Sequence, residues 1–139
     1  MNTTLYPYLC FNGNCKEAME FYQSVLGGEL TLQTFGEAPG VTDDDDTKNL
    51  IMHADLKTET FNFFGSDGPS AGGEIKFGHN ISLCLGGTDL EALTGAFNAL
   101  CAGGTVQQEL TTAVWGDVFG MFSDKFGMDW MVNISKSKD

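Results

Sequence analysis

The hydrophobic pattern changes period along the chain in a fixed order, and it does so twice. Tyr8-Leu9-Cys10-Phe11 and Ser82-Leu83-Cys84-Leu85 are short runs suited to half-buried strands. Each leads into a Gly-containing turn, Asn12-Gly13-Asn14 in one case and Gly86-Gly87-Thr88 in the other. Helical spacing follows, with Ala18, Phe21, Tyr22, Val25 and Leu26 on one apolar face and Leu90, Leu93, Phe97, Leu100 and Cys101 on another. Asn14 with Glu17, and Thr88 with Glu91, have the spacing of a capping box at the helix starts. Both helices run out at a glycine pair, Gly27-Gly28 and Gly103-Gly104, suited to a left-handed C-cap.

Strand-like segments complete each copy: residues 29–35, 50–56 and 60–64 in the first, and 105–112, 119–123 and 130–134 in the second. The order β-α-β-β-β therefore occurs twice, which predicts an α+β chain of two βαβββ repeats. We expect one domain over residues 1–139, with halves of about 1–78 and 79–139. A four-stranded sheet with a helix on one face leaves its other face to be covered. Two such halves enclosing a partial barrel would supply a concave small-molecule site. The alternative is a solid core. Residues 36–49, with Pro39, Gly40 and the aspartates Asp43 to Asp46, read as a solvated loop without the spacing of a calcium-binding loop. Residues 65–78, with Pro69 and Gly72-Gly73, read as a mobile link between the halves.

Composition narrows the function classes. The net charge is −12, and seven Lys and Arg residues cannot build a basic stripe for phosphates, so nucleic acid is an unexpected partner. No apolar run approaches the length of a membrane span, and the first residues lack a secretory pattern, which leaves a cytoplasmic location as the expectation. The four cysteines form no C-x-x-C pair and read as small buried hydrophobes in a reducing compartment. Phe61, Phe63 and Trp130 are expected under the helices, and Asp117 and Asp124 are expected to serve turns and caps. For Trp115, core and cavity rim both stay open.

Pro7-Tyr8-Leu9, Glu17-Ala18 and Phe21-Tyr22-x-x-x-Leu26-Gly27-Gly28 resemble the start of a vicinal-oxygen-chelate domain, the glyoxalase, bleomycin-resistance and extradiol-dioxygenase superfamily. Trp115-Gly116-Asp117-x-Phe119-Gly120 and Asp124-Lys125-Phe126-Gly127-x-x-Trp130-Met131-Val132-Asn133 resemble its PhnB-like branch, and Gly65-Ser66-Asp67 agrees. The resemblance spans essentially the whole chain and implies the glyoxalase-like fold. It also implies a divalent metal held by His or Glu side chains from the first and last strands of each half. Aligned on those motifs, the ligand positions fall on Pro7, Asn62, Ile81 and Met131, none of them a strong ligand for zinc, nickel or iron. The branch is sometimes labelled methyltransferase-like, but the sequence has no G-x-G-x-x-G turn of the Rossmann kind.

These readings favour a small-molecule-binding protein without cofactor, whose candidate cavity residues are Pro7, Leu9, His53, Asn62, Phe64, Ile81, Trp115 and Met131. One alternative is a lyase, isomerase or dioxygenase using a divalent metal ion held by His53, His79 and a carboxylate. Another is a structural or regulatory dimer with a vestigial cavity. In each case a homodimer is expected, because C2 dimers are the commonest oligomers and the edge strand at residues 29–35 would otherwise stand bare.

Overall fold

The computed structural model describes residues 2–38, 40, 47–68 and 74–136. The aspartates Asp43 to Asp46, Pro39, Pro69 and Gly72-Gly73, for which loops are expected, lie outside the described residues. The chain divides into two units, residues 1–76 and 77–139. The first contains β1 (Tyr8–Phe11), α1 (Cys15–Leu26), β2 (Glu29–Thr34), β3 (Ile51–Lys57) and β4 (Asn62–Asp67). The second contains β5 (Leu83–Gly87), α2 (Leu90–Cys101), β6 (Thr105–Thr112), β7 (Val118–Ser123) and β8 (Asp129–Ile134). The sheet orders are β1-β4-β3-β2 and β5-β8-β7-β6. In each sheet the first strand of the unit runs parallel to the last, and the other neighbours are antiparallel. The doubled βαβββ pattern is thus a doubled α+β fold of the glyoxalase-like kind.

Period-2 alternation decides which side chains meet each helix. In the first unit Leu9, Phe11, Ala54, Leu56 and Phe63 are buried, as are Cys15, Ala18, Met19 and Tyr22 of α1 at helical spacing. Gly65 lets α1 approach, since a Cβ there would stand 3.1 Å from Met19 Sδ and 3.3 Å from Cys15 Sγ. In the second unit Phe97 and Leu100 of α2 are buried, as are Phe122, Trp130, Val132 and Ile134 of the sheet. The Phe97 and Phe122 rings meet edge to face at 5.0 Å. Each large apolar side chain so buried contributes roughly 1.5–3 kcal/mol. Phe63 and Trp130 lie in these cores as expected, whereas Phe61 is 37% exposed and Leu90 57% exposed. Phe61 belongs to a tight turn, Thr58 accepting and donating across it, so β4 begins only at Asn62. Leu90 opens its helix, about two turns before the buried Phe97.

The glycine pairs do two different jobs. Gly27 and Gly103 take positive φ, 78° and 80°, where the chain leaves each helix. Gly28 and Gly104 lie against the facing strand: a Cβ would stand 2.4 Å from the Lys57 carbonyl oxygen and 2.1 Å from that of Ser123. These are equivalent places in the two repeats, because β2 pairs with the strand ending at Lys57 and β6 with the strand ending at Ser123.

The helix starts are held differently from the capping-box expectation. Asn14 makes no side-chain cap bond. Instead the buried Asp67 carboxylate, at the end of β4, accepts from Gly13 N at 3.0 Å and Cys15 N at 2.9 Å through Oδ1, and from Ile51 N at 2.8 Å through Oδ2. In the second helix the cap is Asp89, not Thr88, and it accepts from Ala92 N at 3.0 Å. Asp124 plays the expected turn role, accepting from Phe126 N at 2.8 Å, Met128 N at 3.0 Å and the buried Trp130 indole at 2.8 Å.

Removal of the Asp67 carboxylate strands buried amide donors on two segments, each costing about 1–3 kcal/mol. Asp67→Ala should therefore lose about 2–4 kcal/mol in urea unfolding, against about 1 kcal/mol for the exposed cap variant Asp89→Ala. An equal, small loss in both would refute the fastening role. Burial, with help from the Asp67 charge and Cys10, pushes the Cys15 thiol from its ordinary 9.0 to about 12. The folded chain then keeps a proton that the unfolded chain releases, so stability falls as pH rises from about 9 towards 12. Unfolding curves across that window should show a shallower decline for Cys15→Ala than for the native chain.

Candidate functional site

The candidate site starts from the sheet face turned away from each helix. In the first unit Tyr8 pairs with Phe64, Phe64 with Asp55, and Lys57 with Asn62, while Leu9 pairs with Gly65 and Leu56 with Phe63 on the helix side. Tyr8, His53, Asp55, Asn62 and Phe64 therefore share one face. The Phe64 ring sits at its middle, with centroids 4.6 Å from Tyr6, 5.9 Å from Tyr8 and 5.0 Å from His53. The Tyr8 hydroxyl lies 3.2 Å from His53 Nδ1. Beside them Asn62 Nδ2 donates to Asp55 Oδ1 at 2.6 Å. Tyr6 and Tyr8 are 39% and 48% exposed, so an apolar surface with a protic pair at its edge faces outward.

The corresponding face of the second unit is built differently. Cys84, Met131 and Met121 occupy one row across β5, β8 and β7. At one end of that face Trp115 Nε1 donates to Asn133 Oδ1 at 3.3 Å, Asn133 Nδ2 donates to Asp117 Oδ2 at 2.9 Å, and the Trp115 and Phe119 rings meet at 5.4 Å. At the other end Asp129 accepts from Ser123 Oγ and lies 2.8 Å from His79 Nδ1. Burial pushes the Cys84 thiol upward.

Of the candidate cavity residues, His53, Asn62 and Phe64 come together on the first unit's outward face. Leu9 is on the opposite side, under α1 and 9% exposed, because strand alternation gives the outward position to Tyr8. Pro7 precedes β1, is exposed, and offers its carbonyl to Phe64 N at 3.0 Å. In the second unit Met131 is half-buried on the outward face, Trp115 stands 59% exposed at its rim, and Ile81 is 77% exposed ahead of β5. Cys84 is exposed, not a buried hydrophobe, because its strand neighbours Leu83 and Leu85 take the helix side. Tyr6, Tyr8 and Asp55 join this face without being among the candidates. The alternation Tyr6-x-Tyr8 was the available signal, obscured by the aligned position falling on Pro7.

The donor chemistry does not fit the superfamily's divalent metal. Pro7 and Ile81 have no side-chain donor, and the Asn62 amide is engaged with Asp55. His53 and His79 each have a neighbour of their own, Tyr8 and Asp129. Among the described residues no three His, Cys, Asp or Glu side chains come together as a metal site. A hollow of about 580 Å³, lined by Leu26, Glu29, Lys57, Thr58, Glu59 and Phe61, lies at the end of β3 and includes none of the candidate residues.

The chain is 31% identical over 144 residues to Protein YjdN of Escherichia coli (strain K12), covering 96% of this chain and 97% of that one. The crystal structure of protein PA1353 from Pseudomonas aeruginosa superposes with a TM-score of 0.87 at 38% identity, over 98% of this chain and 100% of the other. A PhnB protein from Bacillus cereus shares the fold, with a TM-score of 0.78 at 21% identity over 96% of this chain and 100% of that one. The family model described as 3-demethylubiquinone-9 3-methyltransferase matches residues 3–133, nearly the whole length. The chain belongs to that family, and its fold is that of glyoxalase-like proteins.

Proposed function

We propose that this protein binds a small, partly apolar organic molecule on the outward face of its first unit, without a catalytic metal. The observation that carries the reading is the Tyr6-Tyr8-Phe64-His53 cluster, an exposed aromatic surface with a hydrogen-bonding edge. Such a surface suits a flat ring bearing hydroxyl or carbonyl groups: the ring stacks on Phe64, and the Tyr8 hydroxyl and the imidazole of His53 address its polar rim. Asp55 and Asn62 extend the polar edge. A second reading, proton transfer to or from such a ligand, draws on the Tyr8–His53 contact, which sets a hydroxyl and an imidazole within hydrogen-bond reach of each other.

Methyl transfer is not part of the proposal. Each sheet has one parallel strand pair in an otherwise antiparallel arrangement, unlike the mostly parallel sheet that presents a Gly-rich turn to a nucleotide-like cofactor. No helix among the described residues is long and apolar enough to cross a membrane.

The test is a thermal-shift screen with catechol, hydroquinone and 4-hydroxybenzoate, followed by calorimetry. A binder should raise Tm by mass action, Tyr8→Phe should weaken it about 3- to 10-fold, and Phe64→Ala should weaken it more. A silent screen, or variants that bind as tightly as the native chain, would sink the reading. Loading with Zn, Ni, Mn or Fe(II) should leave no stoichiometric metal after dialysis. Retained metal that His53→Ala releases would favour the metal-dependent enzyme instead. We also propose a homodimer, so light scattering should give about twice the 15.0 kDa chain mass.

A further inference from the structure

In the second unit three sulfur-bearing side chains stand in one row. Cys84 of β5 is the register partner of Met131 of β8, and Met131 is the register partner of Met121 of β7. Neighbouring strands lie about 4.8 Å apart, so the row sets one thiol and two thioethers on successive strands. All three share the face turned away from α2. Their chain neighbours Trp130, Val132, Gly120 and Phe122 are buried on the helix side, where a Cβ on Gly120 would stand 2.7 Å from the Phe97 ring. Cys84 is exposed, and Met121 and Met131 are half-buried, so a solute can reach the row.

The chemistry of the row is soft throughout. Met side chains are long, flexible and polarizable, and can converge on a point between strands. The hard donors flanking the row are engaged with each other: Asp129 with Ser123 and His79 at one end, Asn133 with Trp115 and Asp117 at the other. A thiolate with two thioethers selects Cu(I)-like ions, whereas carboxylate and carbonyl oxygens suit Mg, Ca and Mn.

We propose that Cys84, Met121 and Met131 form a three-sulfur site for a soft monovalent metal ion, Cu(I). Binding exchanges the Cys84 thiol proton, which leaves to solvent, for the metal. The Cys84 thiolate and the two thioethers each donate a lone pair. The metal enters and stays as Cu(I), and no electron is transferred. The site lies in the other unit from the aromatic cluster and does not rest on that reading.

The test is anaerobic titration of the reduced full-length protein with Cu(I), against a chromophoric Cu(I) chelator. One equivalent should bind, and excess Zn(II) should not displace it. Cys84→Ser should weaken binding at least tenfold, as should Met121→Leu combined with Met131→Leu. The Leu exchanges nearly conserve volume and should leave the circular dichroism spectrum unchanged. Cys10→Ser and Cys101→Ser should bind as the native chain does. Native affinity in the double-Leu variant would overturn the proposal, because a thiol alone would then suffice. Full binding by Cys84→Ser, or displacement by Zn(II), would overturn it as well.

Discussion

The first unit depends on one buried carboxylate. Asp67 ends β4, and its two oxygens accept amide hydrogens from the β1–α1 turn and from the first residue of β3. Segments distant in sequence are thereby tied at one point: the helix start, the return of the chain after residues 36–49, and the parallel strand pair. Those amides are obligatory donors, and burial without a partner would cost about as much as a lost hydrogen bond. With α1 fixed over one side of the sheet, alternation assigns every other strand residue to the opposite side. The outward grouping of Tyr8, His53 and Phe64 is a consequence of that fixing and of strand register.

Much of this was legible in the sequence. The paired runs at Cys10 and Cys84, the glycine pairs after the helices and the strand segments gave the element order directly, since each signal is local and periodic. What escaped was non-local. The capping box at Asn14 and Glu17 looked sufficient, yet the cap comes from Asp67, 52 residues from Cys15, and no spacing rule reaches that far. In the second helix the competition was between adjacent residues, and Asp89 took the role expected of Thr88. The candidate site was legible in part. Of the candidates, His53, Asn62 and Phe64 share a face, whereas Leu9 lies on the other, one residue along β1 from the outward Tyr8. In a strand that step changes the face.

The repeat also separates what the fold needs from what a site uses. Gly28 and Gly104 are equivalent because in both units a strand carbonyl oxygen fills the space a side chain would take. The helix-facing positions stay apolar in both, as packing requires. The outward faces are free of that constraint, and they have diverged. One carries tyrosine, histidine and phenylalanine around a protic contact, and the other a cysteine and two methionines flanked by satisfied polar pairs.

That divergence bears on how the family's chemistry should be read in this chain. If the outward positions served only to complete a core, the two repeats would be expected to hold interchangeable aliphatic side chains there. Instead Tyr8, His53 and Phe64 surround a protic contact in one unit, while the other sets Met121 and Met131 beside Cys84, with Trp115, Phe119 and Asn133 at one end of the same face. Tyr8 is 48% exposed and gains little from burial, and an exposed thiol is a chemical liability that serine would remove. The side chains that packing explains least share the face turned away from each helix, and it is on them that the two binding proposals rest.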